Sequence, residues 1–156
     1  MSKLILFFSK KERPFRDHFN SSLSKDDLVP LVAIPTTAGS GSEVTHFAVV
    51  YHNNKKYSIT DKLILPELVC IYPEFTHSIN SYLTACTGFD ALSQAIESFW
   101  NINSTKESDL LAEKAIRLIW ENLPKIVKNK SNKTSRRLIS EGALYAGQAI
   151  NITKTT

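Results

Sequence analysis

Asp90 and Gln94 stand four residues apart in the stretch TGFDALSQAIESFW, residues 87 to 100. On a helix that begins near Gly88 the two side chains share one face and reach a common ion or ligand. A carboxylate is a good ligand for a divalent cation, and the neutral amide oxygen of glutamine is a weak one. The pair therefore reads either as part of a metal site or as a helix-start aspartate beside an ordinary glutamine, the aspartate being favoured there by the helix dipole. A second candidate is Pro35 to Thr45, PTTAGSGSEVT, which follows the apolar run at Ala33-Ile34. Its hydroxyls and glycines let backbone N–H and short O–H donors approach a phosphate or ribose closely. Its spacing matches neither a GxGxxG nor a GxxxxGK[ST] loop, so a Gly/Ser turn with no ligand is the alternative.

The elements that must position these residues change character near residue 75. Before it, short apolar runs at Leu31 to Ile34, Phe47 to Tyr51 and Leu68 to Tyr72 are punctuated by Pro35, Pro66 and Pro73 and read as strands. Two β-prone arms around Asn53-Asn54 predict a hairpin over Val50 to Ile59. Beyond residue 75 the spacing is helical, with Leu92, Ala95, Ile96 and Phe99 on one face of a helix from Asp90 to Trp100. A second helix is predicted from the capping box Ser104-Thr105-Lys106-Glu107 to about Leu123, where Pro124 follows, and a third over Ser135 to Ile150. Residues 1–75 thus read as the end of a Rossmann-like α/β unit with a β-hairpin, and residues 76–156 as the first helices of an all-α domain. A few strands without crossover helices do not close a doubly wound sheet, and three helices do not close the following domain. Both parts are expected to be incomplete.

Composition narrows the classes. The 156 residues are 42% hydrophobic with a net charge of +4, enough for a packed core. Lys125, Lys128, Lys130, Lys133, Arg136 and Arg137 form a basic stretch without interleaved aromatic residues, so they read as a solvated surface and no nucleic acid is expected. Cys70 and Cys86 lie among apolar neighbours and read as two buried thiols of a reducing compartment. The apolar run Leu4 to Phe8 is too short to span a membrane, and a cytoplasmic location is expected. His18, His52 and His77 read as surface residues, and His46 as a core or cleft histidine or a substrate contact.

The two candidate segments occur in order with the hairpin lysine Lys56, Leu65-Pro66, Pro73-Glu74, Ser108-Asp109 and Ala146-Gly147. The combination resembles the iron-containing alcohol dehydrogenases of the dehydroquinate-synthase-like superfamily. That resemblance implies an NAD- or NADP-dependent oxidoreductase with its active site between an α/β domain and a helical domain, and a homodimer at full length. It implies that Thr36, Thr37, Gly39, Ser40 and Thr45 line the cofactor site, that Lys56 reaches the adenosine ribose, and that Asp90 is the first metal ligand. The second ligand of the family is a histidine four residues on, where this chain has Gln94. Fe²⁺ or Zn²⁺, the Lewis acid of metal-dependent members, is therefore held less well here, and some relatives, such as the maleylacetate reductases, are understood to work without a metal. The family's GGGS loop is expected before Lys3 and two further histidines after Thr156, so the chain reads as an internal fragment, inactive alone. Within the family, THFAVVY, KKYSI, ALSQAIESFW and AINITKTT look most like the phosphonoacetaldehyde reductases. Lys154 between Thr153 and Thr155 supplies a cation and hydroxyls suited to a phosphonate, or is a solvent-facing lysine. A generic metal-dependent dehydrogenase of small alcohols or diols, and a non-catalytic remnant, are the other readings.

Overall fold

The computed structural model describes residues 2–8 and 29–155; His18 lies outside them. The chain divides into two compact units, residues 1–33 with 46–68, and residues 34–45 with 69–156.

In the first unit the hairpin forms as the sequence predicts. Strand β2 (Phe47–His52) pairs antiparallel with β3 (Lys55–Thr60), with Tyr51 opposite Lys56 and His52 opposite Lys55. Asn53 and Asn54 both take positive φ, 48° and 58°, as a two-residue primed turn requires. Period-two alternation turns Ala48, Tyr57 and Ile59 inward, and Ile59 packs with Ile64, Leu4 and Ala48. Lys56, Val49 and Tyr51 occupy the exposed face. Helix α1 (Ser2–Phe8) places Lys3, whose Nζ donates to Phe47 O at 3.1 Å. The strand expected over Leu31 to Ile34 shrinks to β1 (Val32–Ala33), paired with β4 (Leu68–Val69) where Leu68 to Tyr72 was expected.

The second unit is built on three helices, each longer than its apolar periodicity indicates. Helix α2 spans Ser81–Phe99 and is capped by Asn80, whose side chain accepts from Leu83 N–H at 2.8 Å. Asp90 is therefore mid-helix, and a helix-start aspartate is ruled out. Helix α3 (Lys106–Lys128) is capped by Thr105 with Ser108 as its reciprocal partner, not Ser104 with Glu107. It continues through Pro124, which lacks an N–H and so leaves the Trp120 carbonyl without its usual i+4 donor near the C-terminal end of the helix. Helix α4 (Lys133–Thr153) starts at Asn132 and ends on Lys154. Their shared core is Ala91, Leu92 and Ala95 against Ala115, Ile119, Leu123, Ile126, Ile139, Ala143 and Ala146. So many alanines bring the axes close, and Gly88 leaves room for the Leu123 methyls. Ser135 Oγ donates to Asn122 Oδ1 at 3.3 Å, tying α4 to α3 through a buried polar pair.

Three expectations change. Cys70 and Cys86 are exposed thiols and not buried ones, and apolar neighbours such as Leu68, Tyr72 and Leu83 are exposed with them. Arg136 is only 4% exposed and does not belong to the solvated basic surface, whereas Lys125, Lys128, Lys130, Lys133 and Arg137 do. His52 and His77 are half-buried instead of surface residues. Among the described residues no helix is long and apolar enough to cross a membrane.

Candidate active site

The hydroxyl-rich segment becomes a loop folded onto α2 and α4. Gly41 adopts a left-handed backbone, φ 60° and ψ 15°, and opens a 3₁₀ turn at Ser42–Val44 closed by Val44 N–H to Gly41 O at 3.1 Å. A side chain there would be strained at that φ and would also collide with the Cα of Gly147 on α4. The reverse holds as well: a methyl on Gly147 would sit 2.7 Å from Gly41 Cα and from Val44 Cγ2. At the other end of the loop, a methyl on Gly39 would meet Thr87 Cβ of α2 at 2.9 Å. Glycine is thus required at both feet, because backbone meets helix with no space for a side chain.

That contact sets what lies exposed. Thr36 and Ser40 are exposed, Thr37 is half-buried, and Thr45 is 1% exposed. Ser40 Oγ lies 3.0 Å from Ser42 Oγ and accepts from Ser42 N–H at 3.4 Å, so the turn is stiffened by its own hydroxyls.

Gln94 lies beside the same contact. A methyl built on Gly41 would be 3.7 Å from Gln94 Oε1, and that oxygen is buried with no hydrogen-bond partner. A buried acceptor without a donor costs about 1 to 3 kcal/mol, so it awaits a positive or donating partner. Asp90, one turn earlier, is exposed. Among the described residues no group of three or more His, Cys, Asp or Glu converges. One carboxylate and one amide oxygen do not make the imidazole-rich donor set that iron or zinc favours.

At the end of α4 the hydroxyls are organised. Thr153 Oγ1 donates to Ala149 O at 3.2 Å and lies 3.1 Å from Ser98 Oγ and 2.8 Å from Thr155 Oγ1, which accepts from Asn101 Nδ2 at 2.9 Å. This chain holds Lys154 in the left-handed region, φ 58°, with its side chain exposed. A lysine there is strained by roughly 1 to 2 kcal/mol relative to the right-handed form. Lys56 belongs to the other unit, on the exposed face of the hairpin, and His46 lies edge-on to Phe47 at 5.8 Å between centroids. The meeting of Gly41 with Gly147 was not derivable from spacing; its sequence signal is the small pair Ala146-Gly147 in a helix that also carries Gly142, Ala143 and Ala149.

Residues 1–73 match the family model described as iron-containing alcohol dehydrogenase, and residues 84–156 match that described as the C-terminal part of the Fe-containing alcohol dehydrogenase family. The chain belongs to the iron-containing alcohol dehydrogenase family. It is 36% identical over 153 residues to long-chain-alcohol dehydrogenase 1 of Geobacillus thermodenitrificans, covering 96% of this chain and 38% of that one. It is 39% identical over 126 residues to the NAD-dependent methanol dehydrogenase of Bacillus methanolicus, covering 80% and 33%. Among solved structures it is similar to the sulfoacetaldehyde reductase of Bifidobacterium kashiwanohense in complex with NAD⁺, with a TM-score of 0.92 and 33% identity over 99% of this chain and 42% of that one. The chain therefore spans about two fifths of the length of these relatives, and the α/β-then-helical fold read from the sequence is that of the family.

Proposed function

We propose that this chain supplies part of the active site of an NAD(P)-dependent alcohol dehydrogenase working as an aldehyde reductase. The observation that carries the reading is the Gly41–Gly147 contact, which holds the hydroxyl loop beside Gln94. In the proposed site a bound nicotinamide supplies the hydride. Thr36, Thr37, Gly39, Ser40 and Thr45 form its wall, the exposed hydroxyls of Thr36 and Ser40 donating to ribose or phosphate oxygens. Lys56 provides a cation for the adenosine end. Residues 1–75 serve the nucleotide domain and residues 76–156 the substrate domain of a cytoplasmic homodimer.

For the carbonyl, Gln94 takes the family's histidine position beside Asp90. An amide is a weaker donor to iron or zinc than the family's imidazole, so we assign Gln94 to orient the carbonyl oxygen by hydrogen bonding. Its oxygen is enclosed and unpartnered, and we assign the amide N–H₂ as the donor to the carbonyl oxygen. The substrate we favour is phosphonoacetaldehyde, reduced to 2-hydroxyethylphosphonate, with Lys154 as the counter-cation for the phosphonate. Two things support an anionic aldehyde: the strained, hydroxyl-flanked lysine, and a structural neighbour that acts on sulfoacetaldehyde. A dehydrogenase of small uncharged alcohols is the second reading, favoured by the similarity to the methanol dehydrogenase of Bacillus methanolicus.

Oxidation of NADH and NADPH by the complete gene product separates these readings. The proposal expects phosphonoacetaldehyde to be reduced with a kcat/KM at least about tenfold above propanal, the order expected of one charge-assisted contact. Equal values for the two aldehydes contradict the phosphonate assignment, and no oxidation with either contradicts the enzyme reading.

A further inference from the structure

Arg136 is 4% exposed and makes no ion pair among the described residues. Its Nη1 donates to Thr76 O at 2.6 Å and to Thr76 Oγ1 at 3.5 Å, and its Nη2 donates to Lys130 O at 3.2 Å. Its Nε–H has no acceptor. Thr84, 6% exposed, likewise carries a buried hydroxyl with no partner. Both residues line one small cavity, whose remaining walls are Ala38, Thr76, Ile79, Thr87, Ile126 and Ile139. It has about 10 Å³ open to the centre of a water-sized sphere, enough for one small occupant.

The other hydroxyls at the cavity are already donating. Thr76 Oγ1 donates to Pro73 O at 2.6 Å, and Thr87 Oγ1 to Leu83 O at 3.0 Å. The cavity therefore offers two unused donors, one of them cationic, set among isoleucine and alanine side chains. A water there accepts from both donors and finds only the remaining lone pairs of Thr76 and Thr87 Oγ1 for its own hydrogens, and it brings no counter-charge. An anion needs donors only, and it also compensates a buried guanidinium that otherwise has no counter-charge, a costly arrangement. Burial without a counter-charge pushes the Arg136 pKa below its usual value.

We propose that Arg136 Nε and Thr84 Oγ1 hold a small monovalent anion of halide chemistry in this cavity. Its walls come from the hydroxyl loop (Ala38) and from α2, α3 and α4, so the occupant joins the loop to all three helices. The site is separate from the Gln94 and Lys154 positions and does not depend on their assigned roles.

Thermal unfolding of the full chain in potassium chloride, bromide or gluconate, at equal ionic strength, tests this. Binding to the folded state alone raises the midpoint with anion concentration. The expected result is a higher midpoint in chloride and bromide by roughly 2 to 4 °C. Thr84→Val keeps the side-chain shape and removes one donor; it is expected to fold at least as well in gluconate and to weaken the halide effect about tenfold. Equal midpoints in halide and gluconate, or an undiminished halide effect in Thr84→Val, overturn the proposal. In bromide-grown crystals an anomalous peak between Arg136 Nε and Thr84 Oγ1 is the expected result, and a water alone at that point refutes it.

Discussion

Replacing Gly147 by alanine probes the contact on which the proposed site rests. In a helix interior the change by itself is favourable by about 1 kcal/mol. Here the new methyl would meet Gly41 Cα and Val44 Cγ2 at 2.7 Å and Gly41 O at 3.0 Å, where carbon pairs prefer about 3.5 to 4.0 Å. The loop must retreat by about 1 Å. Two of the three nearest atoms are Gly41 backbone, pinned by the Val44 N–H bond to Gly41 O, so turning the Val44 side chain alone does not relieve the clash. Overpacking of this kind costs about 1 to 3 kcal/mol; with backbone as the obstacle the upper end applies, and the net loss is about 2 kcal/mol. Gly142→Ala on the same helix is the control. Its methyl would meet Ile119 Cγ1 at 2.7 Å, a buried side-chain atom and not backbone, so the helix-propensity gain is offset and any net loss is expected to be smaller, at most about 1 kcal/mol. Urea unfolding of both variants, with reduced-nicotinamide binding by fluorescence on the complete gene product, reads the difference. The expected result is Gly147→Ala less stable than Gly142→Ala by at least about 1 kcal/mol, with weaker cofactor binding. If Gly147→Ala gains stability as helix propensity alone predicts, the close approach of loop and helix is wrong.

Further outcomes follow from the same geometry. Lys154→Gly relieves the left-handed backbone and is expected to add about 1 kcal/mol of stability while raising KM for phosphonoacetaldehyde and leaving propanal unchanged; a stability loss on denaturation refutes the strain. Gln94→His is expected to raise zinc and iron content in metal analysis above that of the unmodified gene product, whereas stoichiometric metal in the unmodified protein contradicts the hydrogen-bonding role. Thr105→Ala removes the cap of α3 and is expected to cost about 1 kcal/mol in urea unfolding. Cys70 and Cys86 are both expected to react with a thiol reagent in the folded chain, and protection of either contradicts its exposure.

The hairpin was legible because its information is local: alternation sets the buried face, and Asn53-Asn54 meets the positive φ of the turn. The helices were legible as elements and not in extent. Tyr82, Leu83 and Phe89 are exposed, so the first half of α2 shows no amphipathic stripe, and Gly88 looked like a boundary when it is a packing site for Leu123. Arg136 looked like one more surface cation among its neighbours, since only the fold turns it toward Thr76. The loop's approach to α4 joins Gly41 to Gly147, over a hundred residues away in the chain, and no local pattern encodes such a contact. Gln94 was singled out by comparison with the family's histidine; its enclosed, unpartnered oxygen is a tertiary property.

The most direct test of the account is the fate of deuterium. The complete gene product is supplied with phosphonoacetaldehyde and reduced nicotinamide cofactor deuterated at C4, each face in turn, and the alcohol is examined by mass spectrometry. Hydride transfer predicts 2-hydroxyethylphosphonate carrying one deuterium on the carbinol carbon from one face only. Unlabelled alcohol from both cofactors, or no alcohol at all, contradicts it.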